Sequence, residues 1–594
     1  MKRYILIRKK MKNIRRPFMA LLLTCFVLAS CDEDILNTKQ QDGAVSEEEV
    51  YSQIDTAESL VQVLYNSTES WALRRNEFWG QRVNLEGASF EAKFNFQNRN
   101  DVYNLRDAGW TPGNPGLVFQ SKWESYFYYI QGCNEFLSKI EGSPAQGQDE
   151  DKARVLIAEA RFLRANLYSK LLRFFGGVPI FTAPNELNGN YDFTRNSYED
   201  CVNFIVSELD AAAQILPQTR PAGEFGRATS LAALAVKSRT LLYAASDLHD
   251  PSKMPQTENI ELYSYPVSSK WQDAADAAKA VIDIVGDDAL IQVADATEYQ
   301  SLFLSPNENI LFARPYSSTI YEVGTGGFSA VNSLPDQAQS PNGYTGWGLC
   351  SPTHDFALEF NFADGTTTGG VTPANPHENR EMRYYADLTF QGALFRRRPV
   401  DYALSDTIPG ENRPAFRHGL DSPEGRGNTQ HSSKTGYNIR KFHDESIRVL
   451  TEISPDRPYI LYRLAEIYLN YAEAMAELEQ DGVALNFLNK VSRRALQPNI
   501  VAGGEALKEG IKRERRVELC FEGHNFFDER RWLNEDHLGF DIRGLKYTKK
   551  IDGTVPFENV SVVVRPWFPK MYYLPIPENE NEISPGLTQN FGYN

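Results

Sequence analysis

The chain has 594 residues, 42% hydrophobic and 24% charged, with mean hydropathy −0.45 and a formal charge of −16. That balance excludes a disordered chain or a bundle of membrane spans, and the length calls for one large composite domain or two intimately packed lobes. An acidic surface, expected to carry no basic patch, repels phosphate backbones and excludes nucleic acid as a partner.

The first element in chain order is a secretory signal. Lys2, Arg3, Arg8, Lys9, Lys10, Lys12, Arg15 and Arg16 precede an apolar run from Phe18 to Ala29, with no acidic residue among them. A basic region, a short apolar region and small residues before a cut define an export signal, and the run is too short to span a bilayer. Leu28-Ala29-Ser30-Cys31 resembles the bacterial lipobox, in which the Cys thiol is acylated and becomes the first mature residue. Cys31 is therefore the expected lipid attachment, each buried methylene contributing roughly 0.8 kcal/mol of anchoring. Cleavage removes eight basic residues and no acidic one, taking the formal charge from −16 to −24. Residues 1–30 are read as the lipoprotein signal peptide, and 31–48 as the lipidated Cys with a polar, flexible tether.

From Glu49 a helical period dominates through Val50, Ile54, Ala57, Leu60, Val61 and Leu64. A loop-rich stretch, 77–116, leads to an apolar face through Trp123, Phe127, Ile130 and Phe136. Asp151–Phe175 reads as a long amphipathic helix stopped by Gly176-Gly177 and Pro179. Tyr198–Leu216 follows, ended by Pro217, then the alanine-rich Thr229–Leu248, with Lys270–Val285 packing back on it. Between 310 and 455 Gly, Pro, Asn and Asp cluster around short β-like pieces such as Ile310–Arg314 and Tyr437–Phe442, and loops this long are binding or docking surfaces. Helices are expected again over Arg457–Leu478, Val483–Ala495 and Glu505–Trp532, before a proline-rich extended tail from Met571. The expected fold is mainly α with minor β: tetratricopeptide-like helix pairs carrying an irregular loop-rich lobe. Residues 49–300 form its N-terminal helical region, and 301–594 its C-terminal region with the insertion 310–455.

Four blocks carry a family resemblance: Ala158–Ile180, Arg463–Ala474, Arg513–Trp532 and Tyr573–Glu578, the last continuing to Asn590. Together with the lipobox they resemble the SusD/RagB family of outer-membrane nutrient-binding lipoproteins, across essentially the whole mature chain. Asp32-Glu33-Asp34 after Cys31 resembles the acidic tag that sends such lipoproteins to the cell exterior. The resemblance implies a nutrient-binding subunit that captures oligosaccharides and hands them, as a hinged lid, to a SusC-like TonB-dependent transporter. The same fold with peptide or glycoprotein-derived cargo is the alternative, and a surface glycan-degrading enzyme a more distant one. The charge of −24 argues against acidic cargo.

No catalytic residue, metal site or cofactor is expected. The chain has no GxSxG elbow, HExxH pair or Walker loop, and Lys434-Thr435-Gly436 has no SxxK partner. Acidic residues abound, but no spacing singles out a glycosidase pair. Arg515, Arg516, Glu518, Glu522, Asp528, Arg530 and Arg531 sit at spacings that favour ion pairs along a helix, so they are read as structural, as is His524. Cys133, Cys201, Cys350 and Cys520, scattered and without metal spacing, are expected as buried free thiols.

Recognition remains. Sugar rings present apolar C–H faces ringed by hydroxyls, so a glycan site needs exposed aromatic platforms with planar polar side chains beside them. The resemblance places such aromatics on N-terminal and central loops. The candidates are Trp79 and Trp110 with Asn95 and Asn98 in the first region, and Tyr316, Tyr321, Tyr344 and Trp347 in the second. Trp123, Trp271 and Trp532 lie on helical faces and are read as packing.

Overall fold

A computed structural model describes residues 46–68, 85–95, 109–114, 117–185, 192–255, 257–316, 336, 339–425, 431–447 and 457–593. Cys31, Trp79, Asn98, Tyr321 and the side chain of Tyr316 lie outside that description.

The frame is a row of antiparallel helices. Its first half comprises α1 (Ile54–Leu64), α2 (Leu117–Ile140), α3 (Glu150–Phe175), α4 (Tyr198–Ala213), α5 (Ser230–Ala245) and α6 (Lys270–Val285). Local chemistry fixes their ends. Asp149 caps α3 by accepting the Lys152 N–H at 2.9 Å, and Glu150 and Asp151 meet the positive end of the helix dipole. At the other end Gly176 takes φ +76°, and a Cβ there would strike the Leu262 carbonyl at 2.7 Å. Ser197 and Asp200 close a capping box on α4.

Buried alanines let α5 and α6 approach closely: Ala232, Ala233 and Ala235 on one, Ala274, Ala275, Ala277 and Ala278 on the other. The row continues with α7 (Leu464–Glu477), which packs on α6, then α8 (Asp481–Arg494) and α9 (Gly504–Glu518). One continuous apolar core runs from Tyr51 to Tyr593 and takes in Trp123, with Trp271 packed against it. The loop-rich lobe is thus an insertion between helices of one row.

Three expectations are corrected. Arg457–Leu478 is not one helix: β6 (Arg457–Arg463) precedes α7 and pairs antiparallel with β2 (Ile310–Tyr316). Pro458, Ile460 and Tyr462 are buried in alternation, a period of two that a helical pattern cannot satisfy. Glu505–Trp532 breaks between α9 and α10 (Asn525–Arg531), where Phe521 and Gly523 take φ +60° and +79°. The tail is not simply extended, since it forms short turns at Pro569–Tyr572 and Glu578–Ile583 and is tied back by Leu574 N–H to Phe174 O at 2.8 Å. An unanticipated hairpin, β7 (Asp541–Lys549) with β8 (Phe557–Val564), precedes it.

The ion pairs in the Arg513–Trp532 block join different elements rather than one helix. Glu518, fully buried, accepts from Arg463 of β6 at 2.7 Å, from Arg383 of the loop lobe at 3.1 Å and from Arg494 of α8. Glu522 takes Arg463 at 2.7 Å and Lys441 at 2.8 Å. Arg516 meets Glu529 at 2.7 Å and Arg515 meets Asp528 at 3.3 Å, while Arg531 reaches Glu473 of α7 at 2.5 Å. Among those charged residues only Arg531–Asp528, 2.8 Å apart, is a same-helix neighbour pair. Arg530 has no such carboxylate among the described residues: it lies 3.6 Å over the Phe526 ring and donates to Met571 O, and burial pushes its guanidinium down to about 9. His524 is buried 4.0 Å from Glu466, held far below the usual imidazole range by burial and the surrounding arginines. These groups are fastenings.

Candidate functional site

The N-terminal and central loops meet through a short ladder. β1 (Ala92–Phe94) pairs antiparallel with β3 (Cys350–Pro352), Phe94 facing Cys350 and Ala92 facing Pro352. Asn95, directly after β1, extends the joint: its backbone N–H donates to Leu349 O at 3.0 Å, and its amide to Gly348 O at 2.5 Å and Ser351 Oγ at 2.6 Å. Asn95 is 0% exposed, so its amide is a strut and not a ligand-facing group, which corrects the expectation for it.

Trp110 is corrected for a similar reason. Its ring is 1% exposed and belongs to the main core, leaving no face for a sugar.

Trp347 stands on the loop that this joint supports. A Cβ on Gly346 would meet Ser340 O at 2.0 Å, so only glycine lets the chain pass there. Gly348 takes φ +47°, and its missing side chain leaves room for Asn438 Nδ2 and His431 O, each 3.0 Å from where a Cβ would stand. The two glycines clamp the loop on both sides of the indole, which remains partly exposed with the His431 ring 6.3 Å away. Burial lowers the His431 pKa, so that ring is neutral near pH 7 and offers one donor and one acceptor. Lys434, half-buried three residues on, is also shifted down by burial.

Tyr344 sits beside this loop at the end of a short turn, Asn342–Tyr344. Its ring meets Phe395 edge-on at 5.3 Å, and its hydroxyl donates to Phe395 O. The Arg398 guanidinium lies 4.3 Å over the ring and is held there by Asp421, at 2.6 and 2.9 Å. The Arg398 cation therefore covers one face of Tyr344, and the residue as a whole is partly exposed.

Phe395 and Arg398 belong to a tight hairpin, β4 (Leu394–Phe395) with β5 (Arg398–Pro399). Its tip is Arg396-Arg397, with Arg396 at φ +56°. Three consecutive arginines beside the candidate aromatics correct the expectation of an unbroken acidic surface. In the sequence, Phe395-Arg-Arg-Arg-Pro399 is the one local signal of this cluster, and His431 carries none.

The remaining chemical leads dissolve into packing. In Lys434-Thr435-Gly436, Thr435 Oγ1 donates to Pro352 O at 2.5 Å, and Gly436, at φ +81°, makes room for Leu545 O of β7. Cys133, Cys201, Cys350 and Cys520 are free and buried, with burial raising every thiol pKa, Cys133 and Cys201 to about 12. Among the described residues no group of three or more His, Cys, Asp or Glu could hold a metal ion, and no helix is long and apolar enough to cross a membrane.

Two family models match. One, described as the SusD family, covers residues 308–593; the other, described as starch-binding associating with outer membrane, covers 36–242. A SusD-like protein, P38, of Formosa agariphila is 23% identical over 536 residues, 88% of this chain and 91% of that protein. The solved structure of a SusD-like protein from Bacteroides fragilis superposes with TM-score 0.74 at 24% identity, over 92% of this chain and 99% of the other. A second from B. fragilis, titled a SusD-like carbohydrate-binding protein, gives 0.71 at 24%, over 91% and 99%.

Proposed function

This chain belongs to the SusD/RagB family, and on that premise we propose that it is a glycan-binding lipoprotein of the outer membrane, facing the exterior. It captures oligosaccharides and passes them, as a lid, to a SusC-like TonB-dependent transporter. Cys31 anchors it through lipid, and the tether before Glu49 gives the lid its reach. The observation that carries the reading is the Trp347 loop, an indole fixed by two obligatory glycines and left partly exposed beside neutral His431. An indole face covers the C–H face of a pyranose, and the imidazole supplies in-plane hydrogen bonds to its hydroxyls. Tyr344, also partly exposed, stands three residues before Trp347.

No bond need be made or broken. Closing a lid over a ligand is a shift between two conformations, driven by the ligand's greater affinity for the closed one. The charges of the Arg513–Trp532 block, around Glu518 and Glu522, are buried and paired with one another and with arginines of other elements, which supports a structural role for them and leaves recognition to the loops.

Affinity electrophoresis against a panel of neutral and charged polysaccharides tests the proposal. At least one glycan should retard the purified mature protein, and Trp347→Ala should abolish most of that retardation without changing the melting temperature. Retardation unchanged by Trp347→Ala would remove this loop as the site, and no retardation by any glycan would remove the function.

A further inference from the structure

The hairpin tip beside Tyr344 holds more positive charge than the structure uses. Of its three arginines only Arg398 is spent, on Asp421 and on the face of Tyr344. Arg397 is exposed, and its side chain has no hydrogen-bond or ion-pair partner among the described residues. Arg396 is partly buried, and its Nε and Nη2 are out of contact with solvent and without an acceptor among the described residues. Its guanidinium lies 5.4 Å from the Phe395 ring and 5.8 Å from the Tyr344 ring.

The carboxylates around Arg396 are committed elsewhere. Asp336 pairs with Arg457 at 2.8 Å, and Glu445 takes Arg440 at 2.6 Å and the Arg396 backbone N–H at 2.8 Å. Asp444 accepts from Ser446 at 2.5 Å. A guanidinium drawn out of water without an acceptor is costly, and in a left-handed backbone position that favours glycine it is doubly so. An anion arriving from solvent meets exposed Arg397, whose planar fork matches an oxyanion in two parallel hydrogen bonds, while Arg396 beside it contributes its charge.

Resting on the glycan-binding reading, we propose that the Arg396–Arg397 tip recognises an anionic substituent on the sugar held at the Tyr344–Trp347 face, so that the cargo is a uronate-bearing or sulfated glycan. The overall charge of −24 does not oppose this, since exposed charges beyond about a Debye length, roughly 8 Å, are screened at physiological salt.

Titration calorimetry of the mature full-length protein tests the assignment with three probes: a neutral β-glucan, polygalacturonate and a sulfated galactan. Binding to one of the anionic probes, weakened by added salt, is expected. Polygalacturonate and the sulfated galactan distinguish carboxylate from sulfate. Arg396→Gln/Arg397→Gln should lower that affinity at least about tenfold, the worth of one charge-assisted hydrogen bond. Arg413→Gln, which removes one positive charge at an exposed pair with Glu411, should leave it unaltered. Arg397→Lys, which keeps the charge and loses the planar fork, should retain the salt dependence while lowering the affinity.

Binding of the neutral glucan alone, or an anionic affinity that the double variant leaves unchanged, overturns this assignment while glycan binding stands. No binding of any probe overturns both. Binding of anionic lipid vesicles with no anionic glycan bound also overturns it, placing the tip against the membrane.

Discussion

Replacing Glu518 by Gln keeps the shape of the side chain and removes one buried negative charge. Its three guanidinium partners differ in what they keep. Arg463 retains Glu522, and Arg383 retains Glu381 at 2.8 Å and Glu514 at 2.6 Å. Arg494 has no other ion-pair partner among the described residues, and its Nε already lacks an acceptor. The substitution therefore leaves chiefly one uncompensated cation at a site 2% exposed. Breaking a buried pair from one side costs about 3–5 kcal/mol, a large share of a typical total of about 5–15 kcal/mol. The urea transition of Glu518→Gln, followed by circular dichroism, should move to lower urea by that amount. The double change Glu518→Met/Arg494→Met should recover most of the loss, because neither charge is then stranded. Glycan affinity of the folded variant should not change. A loss of affinity with stability intact, or a destabilisation below about 1 kcal/mol, would refute the reading of this network as a fastening.

Three further outcomes follow from the same geometry. Burial raises Glu86 to about 8, with one carboxyl oxygen unpaired, so the folded chain holds a proton that the unfolded chain releases near 4.5. Stability is then lost as pH rises from about 4.5 to about 8, by up to about 1.4 kcal/mol per unit, and Glu86→Gln should gain on the wild type across that window in urea titrations. His354 and His377 are held neutral by burial, at about 4 and about 3, in hydrogen bonds to Tyr437 (3.0 Å), Tyr384 (2.7 Å) and Tyr547 (2.6 Å). The unfolded chain takes up those protons near 6.5, so this contribution is complete above about 6.5 and fades toward 4; thermal melts should show a shallower acid slope for His354→Gln/His377→Gln than for the wild type. Cys31→Ser should move the protein from the membrane fraction to the soluble one while leaving glycan affinity unchanged, and retention in the membrane fraction would contradict lipid anchoring.

Much of the frame was legible because its signals are local. Lys270–Val285 is a helix over the span its apolar and alanine pattern marks, and α3 ends at Gly176, whose positive φ favours glycine. What escaped depends on distant partners. Tyr459-Ile-Leu-Tyr462 fits either period until β2, far upstream, pairs with it. The β7–β8 hairpin alternates visibly, yet its lysines and glycine read as loop without knowing that Gly544 packs on Thr435. At the site the limitation is of the same kind. Composition marks Trp110 and Trp347 alike, but the first lies in the core and the second on a glycine-hinged loop. Asn95 is a buried strut rather than a ligand-facing group, and the arginine tip went unread because the commitment of its neighbouring carboxylates to other partners is a property of space rather than of sequence.

The central claim is that this molecule holds a glycan without cleaving it. Incubating the purified mature protein alone with a glycan that retards it, and following bound ligand and newly released reducing ends together over hours, tests that claim most directly. The account predicts saturable binding near one ligand per chain, with reducing ends at the level of the protein-free control. A steady, enzyme-proportional rise in reducing ends, abolished by substituting one carboxylate, would contradict it.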